Sequence, residues 1–170
     1  MDALSDPASL QTRADVEYTE KPCVEHQHHF DAYEPIQGMV IVGITNDEGE
    51  VLLLIHREGP HMTLPYDSVE SGEDWVAVAT RRVEELTDCA VVIDGVARVR
   101  KKHYAPEGDG SRQTVGYDVV MRASSLAGET ITEATQVDEA GAWDLRWISS
   151  VPDDAAGGAV LDDIQLFFEM

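Results

Sequence analysis

Hydrophobic and polar positions divide the 170-residue chain into a polar leader and a patterned remainder. Residues 1–36 show no sustained periodicity. The local signal there is Ser5-Asp6-Pro7, a polar cap followed by a proline suited to a first helical turn. From Gly38 the pattern sharpens. Residues 39–45 (MVIVGIT) are apolar and β-branched and predict a buried strand. Residues 46–50 (NDEGE) are turn formers, and residues 51–57 (VLLLIHR) predict the partner strand of an antiparallel hairpin. Residues 58–61 break that strand. Val76, Ala79, Val83 and Leu86 recur at helical spacing, so a helix starting near Glu73 or Asp74 and ending at Asp88-Cys89 is expected to bury that stripe. Residues 90–93 and 96–99 predict strands on either side of an Asp94-Gly95 turn. A loop at 105–111, a strand at 114–122, a long polar loop at 124–140 and a last strand at 142–148 follow. From Asp153 a C-terminal helix is expected, with Val160, Leu161, Ile164, Phe167 and Phe168 facing the sheet. Mixed strands with one central and one terminal helix predict an α/β layered sandwich. The connections are too short for a regular βαβ array, and no GxGxxG is present.

Composition narrows the setting. Hydrophobic residues make up 43% of the chain, ordinary for a globular protein. Thirty-three acids face twelve bases, giving a formal net charge of −21, and the only lysines are Lys21, Lys101 and Lys102. The acids are spread along the whole chain. That pattern predicts adaptation to a salt-rich cytoplasm, where screening suppresses self-repulsion, and argues against a nucleic-acid backbone as partner. No apolar run approaches the roughly 20 residues of a membrane span, and the opening residues lack a signal-peptide layout, so a soluble cytoplasmic protein is expected. Cys23 and Cys89 form no CxxC pair and are expected as reduced thiols.

Candidate chemistry is scattered outside one stretch. His26, His28 and His29 lie close to Cys23 and invite a metal reading. A closed zinc site, however, draws on two well-separated ligand pairs. On a strand, His26 and His28 share one face and His29 takes the other, and a solvated strand, a subunit contact or an extension that orders only in an oligomer is the favoured reading over a metal site. His56, His61 and His103 fall at strand ends. Trp75, Trp143 and Trp147 serve core or interface. Lys101-Lys102-His103 is the one basic cluster, open to phosphate or to neighbouring acids.

Residues 64–89, LPYDSVESGEDWVAVATRRVEELTDC, resemble the Nudix box of Nudix hydrolases. That box reads Gly, five residues, Glu, seven residues, then Arg-Glu-hydrophobe-x-Glu-Glu-x-Gly-hydrophobe. With Glu73 at the first Glu, Arg81 falls on the Arg, Val83 on the hydrophobe, Glu85 on the first Glu of the pair and Cys89 on the apolar close. Leu64-Pro65 and Val69-Glu70-Ser71-Gly72-Glu73 match the usual lead-in. The flanking strands and the Arg146-Trp147-Ile148 strand extend the resemblance to residues 37–170, leaving 1–36 as an N-terminal extension. The resemblance implies a Nudix-like α/β/α sandwich with a mixed β-sheet and hydrolysis of a nucleoside diphosphate linked to another moiety. It implies Mg2+ or Mn2+ as cofactor and Glu85, Arg81 and Glu73 as catalytic positions. Arg82, Tyr66 and Arg57 become candidate substrate contacts, with Tyr66 placed to stack on a base. Glu139, in a loop with Glu133, Asp138 and Asp144, becomes a candidate metal ligand beside Glu85. A β-rich extension is the expected contact of a homodimer, on analogy.

The departures from the box concern chemistry. Tyr66 and Asp67 stand where glycines open it. Arg82 replaces the Glu after the Arg, Leu86 the second Glu of the pair, and Asp88 the closing Gly. Positions 82, 85 and 86 share a helix face, where family members place three carboxylates for a hard cation. Here that face carries one cation, one carboxylate and one apolar group. The expectation is a retained scaffold with a degenerate metal site and hydrolysis weakened or lost, with Mg2+ or Mn2+ as cofactor if activity is kept and none otherwise. The alternative is a non-catalytic nucleotide-binding, phosphate-binding or protein-interaction module on the same fold. Arg82 then stands as a built-in cation, pairing with Glu85 or meeting a phosphate.

Overall fold

The computed structural model describes residues 1–170 except 35, 60, 153, 154, 156 and 170. Its strands are β1 (Glu17–Glu25), β2 (Ile36–Ile44), β3 (Val51–His56), β4 (Met62–Thr63), β5 (Tyr66–Glu70), β6 (Val91–Pro106), β7 (Thr114–Ser125) and β8 (Trp143–Ile148). Its helices are α1 (Gln27–Tyr33), α2 (Trp75–Thr87) and α3 (Ala159–Phe168). One sheet has the order β1-β6-β7-β2-β5 and the other β4-β3-β8. This is the α/β architecture that the hydrophobic pattern implies. Two compact units emerge: Met1–Ile41, Tyr66–Ala79 and Gly95–Met121 form the first, and Val42–Pro65, Thr80–Asp94 and Arg122–Met170 the second.

In the first unit β1 runs parallel to β6, from Glu17 opposite Arg98 to Glu25 opposite Pro106. Pro22 sits within this edge strand, where it removes one unpaired donor and blunts the edge against further pairing. β5 pairs antiparallel with β2, Tyr66 opposite Ile41, with a register shift between Ile36 and Gly38. Gly38 has φ 148°, and a Cβ there would meet the Tyr117 carbonyl oxygen at 1.9 Å, so only glycine fits. Phe30, Val40, Val69, Trp75, Val99 and Val119 are fully or almost fully buried.

In the second unit β3 is the central strand, antiparallel to β4 and β8. Val51, Leu52, Leu53 and Leu54 are all buried, so both faces of β3 are covered, which explains an apolar run without alternation. α3 packs on β3 and β4 with Ile164 and Phe167 buried. A Cβ on Gly43 would fall 2.1 Å from the Phe167 ring, so that glycine makes room for the helix.

Several expectations give way. β2 and β3 do not form a hairpin ladder: they belong to different sheets, and an isolated bridge joins Thr45, just after β2, to Val51. The turn at 46–50 remains, closed by Asn46, whose side-chain oxygen accepts the Glu48 and Glu50 amides. Asp94-Gly95 is no turn. β6 runs straight through it and absorbs the start of the expected 105–111 loop. The polar leader is structured, for β6 supplies the ladder that β1 lacks locally. His28 and His29 lie in α1, with His26 at its N-cap, so the strand reading of that segment falls. The short helical turn expected after Ser5-Asp6-Pro7 is present, a 3-10 turn at Pro7–Leu10 capped by Asp6. In α2 the buried face is carried by Trp75, Val78, Ala79, Val83 and Leu86, with Val76 only half-buried. The polar stretch after β7 contains a 3-10 turn, Leu126–Gly128, and the bridge Ala134 to Leu145. The expected helix start at Asp153 lies outside the described residues, and on α3 Val160 is half exposed. Among the described residues no helix is long and apolar enough to cross a membrane.

Candidate functional site

The stretch 64–89 is held by backbone-directed polar groups. Glu70 to Glu73 form a tight turn in which the Glu73 amide donates to the Glu70 carbonyl at 3.1 Å. Gly72 supplies the φ of 85° that such a turn needs. The Glu73 carboxylate accepts the Glu70 amide at 2.9 Å, so it braces the turn. Asp74 caps α2: its Oδ1 accepts the Val76 amide at 3.1 Å and the Leu4 amide at 2.8 Å. The Trp75 amide donates in turn to the Leu4 carbonyl at 2.9 Å. At the other end Asp88 has φ 55°, the left-handed conformation that glycine adopts at low cost. The Asp88 amide donates to the Glu84 carbonyl at 2.9 Å and closes the helix.

On α2 two guanidinium groups flank the Glu85 carboxylate. Arg81 Nε lies 3.9 Å from Glu85 Oε1, and Arg82 Nη1 lies 3.9 Å from Glu85 Oε2. These are the i,i+4 and i,i+3 partners of a helix surface. Both contacts are long, and the Glu85 side chain is more than half exposed, so each pair contributes well under about 1 kcal/mol. Leu86 is buried at 6% exposure. A divalent ion such as Mg2+ requires several oxygen ligands. At positions 82, 85 and 86 the chain offers a guanidinium, a carboxylate flanked by two guanidinium groups and a buried isobutyl group. Among the described residues no three His, Cys, Asp or Glu side chains gather as an ion-holding group. Of these three positions only Glu85 supplies oxygen ligands of the kind a hard cation needs.

The acids of the 133–144 loop are turned to structural tasks. Glu133 accepts the Trp147 amide at 3.0 Å, Asp138 the Trp143 amide at 2.9 Å and Asp144 the Gln136 amide at 3.0 Å. Glu139 stands exposed in the turn that the Gly141 amide closes on the Asp138 carbonyl. The Asp144 carboxylate is buried, 3.7 Å from Arg57 and 3.5 Å from Arg146. The Gln136 amide and then Arg57 lower its pKa below the ordinary carboxylate value, against the effect of burial. This Arg57–Asp144–Arg146 cluster was not legible in sequence, because it depends on Ile55 lying opposite Asp144 in the β3–β8 register.

The remaining candidates have partners of their own. Tyr66 begins β5 and is 42% exposed. His56 accepts the Glu58 amide and stands edge-on to Trp143 and His61. The basic cluster on β6 is committed internally: Lys102 lies 2.6 Å from the buried Asp118, which Arg100 also contacts, and Lys101 and His103 contact Glu20. Hydrogen bonding to His103 lowers the Glu20 pKa.

No protein-family model matches the sequence, and no curated protein matches it. Solved structures do. A Nudix hydrolase from Nitrosomonas europaea is similar with a TM-score of 0.50, at 21% identity over 78% of this chain and 71% of that one. A second Nudix hydrolase structure from the same organism has a TM-score of 0.50, at 16% identity over 76% of this chain and 86% of that one. The chain has the Nudix hydrolase fold, as the 64–89 stretch implies.

Proposed function

We propose that this protein is a diverged member of the nucleoside-diphosphate-linked Nudix pyrophosphohydrolases that has lost metal-dependent hydrolysis and keeps the capacity to bind a nucleoside diphosphate derivative. The observation that carries the reading is the α2 face, where Glu85 lies between Arg81 and Arg82 and Leu86 is buried. In this reading Glu73 serves to brace the turn and Glu85 stands between two arginines rather than among other carboxylates. Of the acids in the 133–144 loop, Glu133, Asp138 and Asp144 accept backbone amides, and Glu139 is exposed.

In this reading Arg82 takes over the charge-neutralising part of the metal. A planar guanidinium meets phosphate oxygens bidentately and needs no cofactor to do so. Arg57 and Tyr66 are the further contacts, for phosphate and base respectively. The extension at 1–36 serves a homodimer, and the net charge of −21 sets the protein in a salt-rich cytoplasm without nucleic acid as partner. The test is titration with ADP-ribose and with a nucleoside diphosphate, with and without EDTA. Saturable binding that EDTA leaves unchanged and Arg82→Ala weakens is the expected result. Binding that appears only with added metal overturns the proposal.

A further inference from the structure

Arg57, Asp144 and Arg146 form a group whose charge does not balance. Ile55 lies opposite Asp144 and Leu53 opposite Arg146 in the β3–β8 ladder, and the Arg57 amide extends that ladder by donating to the Ala142 carbonyl at 2.8 Å. Alternate residues of a strand share a face, so the three side chains stand on one face of this sheet. Asp144 Oδ1 accepts the Gln136 amide at 3.0 Å and lies 3.7 Å from Arg57 Nε, while Oδ2 lies 3.5 Å from Arg146 Nη2. Two cations thus share one carboxylate, in a chain that holds 33 acids against 12 bases. The Asp144 side chain is buried at 8% exposure, but those of Arg57 and Arg146 are 43% and 53% exposed.

The backbone spends strain on this arrangement. Gln136 has φ 52°, a left-handed conformation that is costly for a residue with a Cβ. That conformation belongs to the residue whose amide fixes the Asp144 carboxylate. Strain retained around one carboxylate marks a place where geometry matters beyond stability. A guanidinium carries five N–H donors in a planar fork, and the nearest approach to Asp144 uses one nitrogen of each arginine. A diphosphate presents oxygens on two neighbouring phosphorus atoms. Two forks tethered to opposite oxygens of one carboxylate suit it better than they suit a single phosphate.

We propose that Arg57 and Arg146 together clamp the diphosphate of the bound nucleotide derivative, with Asp144 as the positioning residue that holds both arginines at one spacing. This rests on the nucleotide-binding reading above and adds Arg146 and the diphosphate itself as the group recognised. Inorganic pyrophosphate, inorganic phosphate and ADP-ribose, each titrated calorimetrically into the full chain with EDTA, test it. Saturable binding of pyrophosphate, tighter than that of phosphate, is expected. Arg146→Ala is expected to weaken pyrophosphate and ADP-ribose binding about 10-fold or more. Arg146→Lys, which keeps a charge beside Asp144 but not the fork, is expected to recover only part of that loss. Arg13→Ala, at a surface guanidinium paired with Asp15, leaves binding unchanged. Asp144→Asn is expected to narrow the preference for pyrophosphate over phosphate, a ratio that a purely structural role does not move. No pyrophosphate binding by the native chain, or equal binding by the native chain and Arg146→Ala, overturns the clamp. ADP-ribose binding that Arg82→Ala weakens and Arg146→Ala does not removes the clamp and leaves the nucleotide reading standing. Pyrophosphate binding through the two arginines without any ADP-ribose binding does the reverse.

Discussion

The ends of the 64–89 stretch and its middle have been treated differently. At the ends, the turn, cap and helix stop are held by backbone-directed contacts. Asp88 stands in place of the closing glycine and still adopts φ 55°. In the middle, the helix carries Arg82 and Leu86 at positions where the resemblance to the box implies carboxylates. The contrast teaches what each position answers to. A backbone conformation is demanded by everything packed around it, so a poor residue is tolerated there at some cost in strain. A metal ligand is demanded only by the metal, so in the reading proposed above the fold places no demand on positions 82 and 86.

Variants sharpen that contrast, beginning with the scaffold. Trp75 is the largest fully buried side chain and opens α2, so Trp75→Ala is expected to cost about 3–5 kcal/mol in denaturant unfolding. A cost near zero would mean that the helix start is not the anchor described above. Asp74→Ala removes the acceptor of both the Val76 and Leu4 amides, with an expected loss of about 1–2 kcal/mol by the same measurement. Asp88→Gly is expected to stabilise by about 1 kcal/mol, since glycine adopts the left-handed conformation without the Cβ conflict. Destabilisation would show that the aspartate side chain makes a contact worth more than the strain.

Acid provides a further probe. The folded-state pKa of Asp144 is depressed, so its contribution is present at neutral pH and fades as pH falls through and below the ordinary carboxylate range. Asp144→Asn is therefore expected to flatten the acid limb of a stability–pH profile, and an unchanged limb would remove the Arg57–Asp144–Arg146 cluster from the account. The smallest effect is expected on the helix face. Arg82→Ala should change stability by no more than about 0.5 kcal/mol, because the pair is long and exposed. A larger loss would make Arg82 structural rather than a ligand contact.

The box was legible because its signals are local: Gly72 in a turn, an acid at the helix start and an apolar stripe each follow from short-range geometry. The Arg82–Glu85–Leu86 face was legible too, since helix periodicity alone puts positions 82, 85 and 86 together. What escaped depends on distant pairing. The 17–25 segment has little pattern of its own and becomes a strand because β6 lies beside it. Asp94-Gly95 carries a strong turn signal that the long β6 ladder overrides. The adjacent runs 39–45 and 51–57 looked like hairpin partners, yet β5 and β7 flank β2 instead. The fates of Asp138 and Asp144 turn on single amides in a folded loop, which no spacing rule announces.

The central claim is that the α2 face no longer supports metal-dependent hydrolysis. It is tested most directly by assaying the native chain for phosphate or nucleotide release, in high salt with Mg2+ or Mn2+, across a broad panel of nucleoside diphosphate derivatives. The account predicts no release above the protein-free blank for any of them. Metal-dependent turnover that disappears in Glu85→Gln would contradict it.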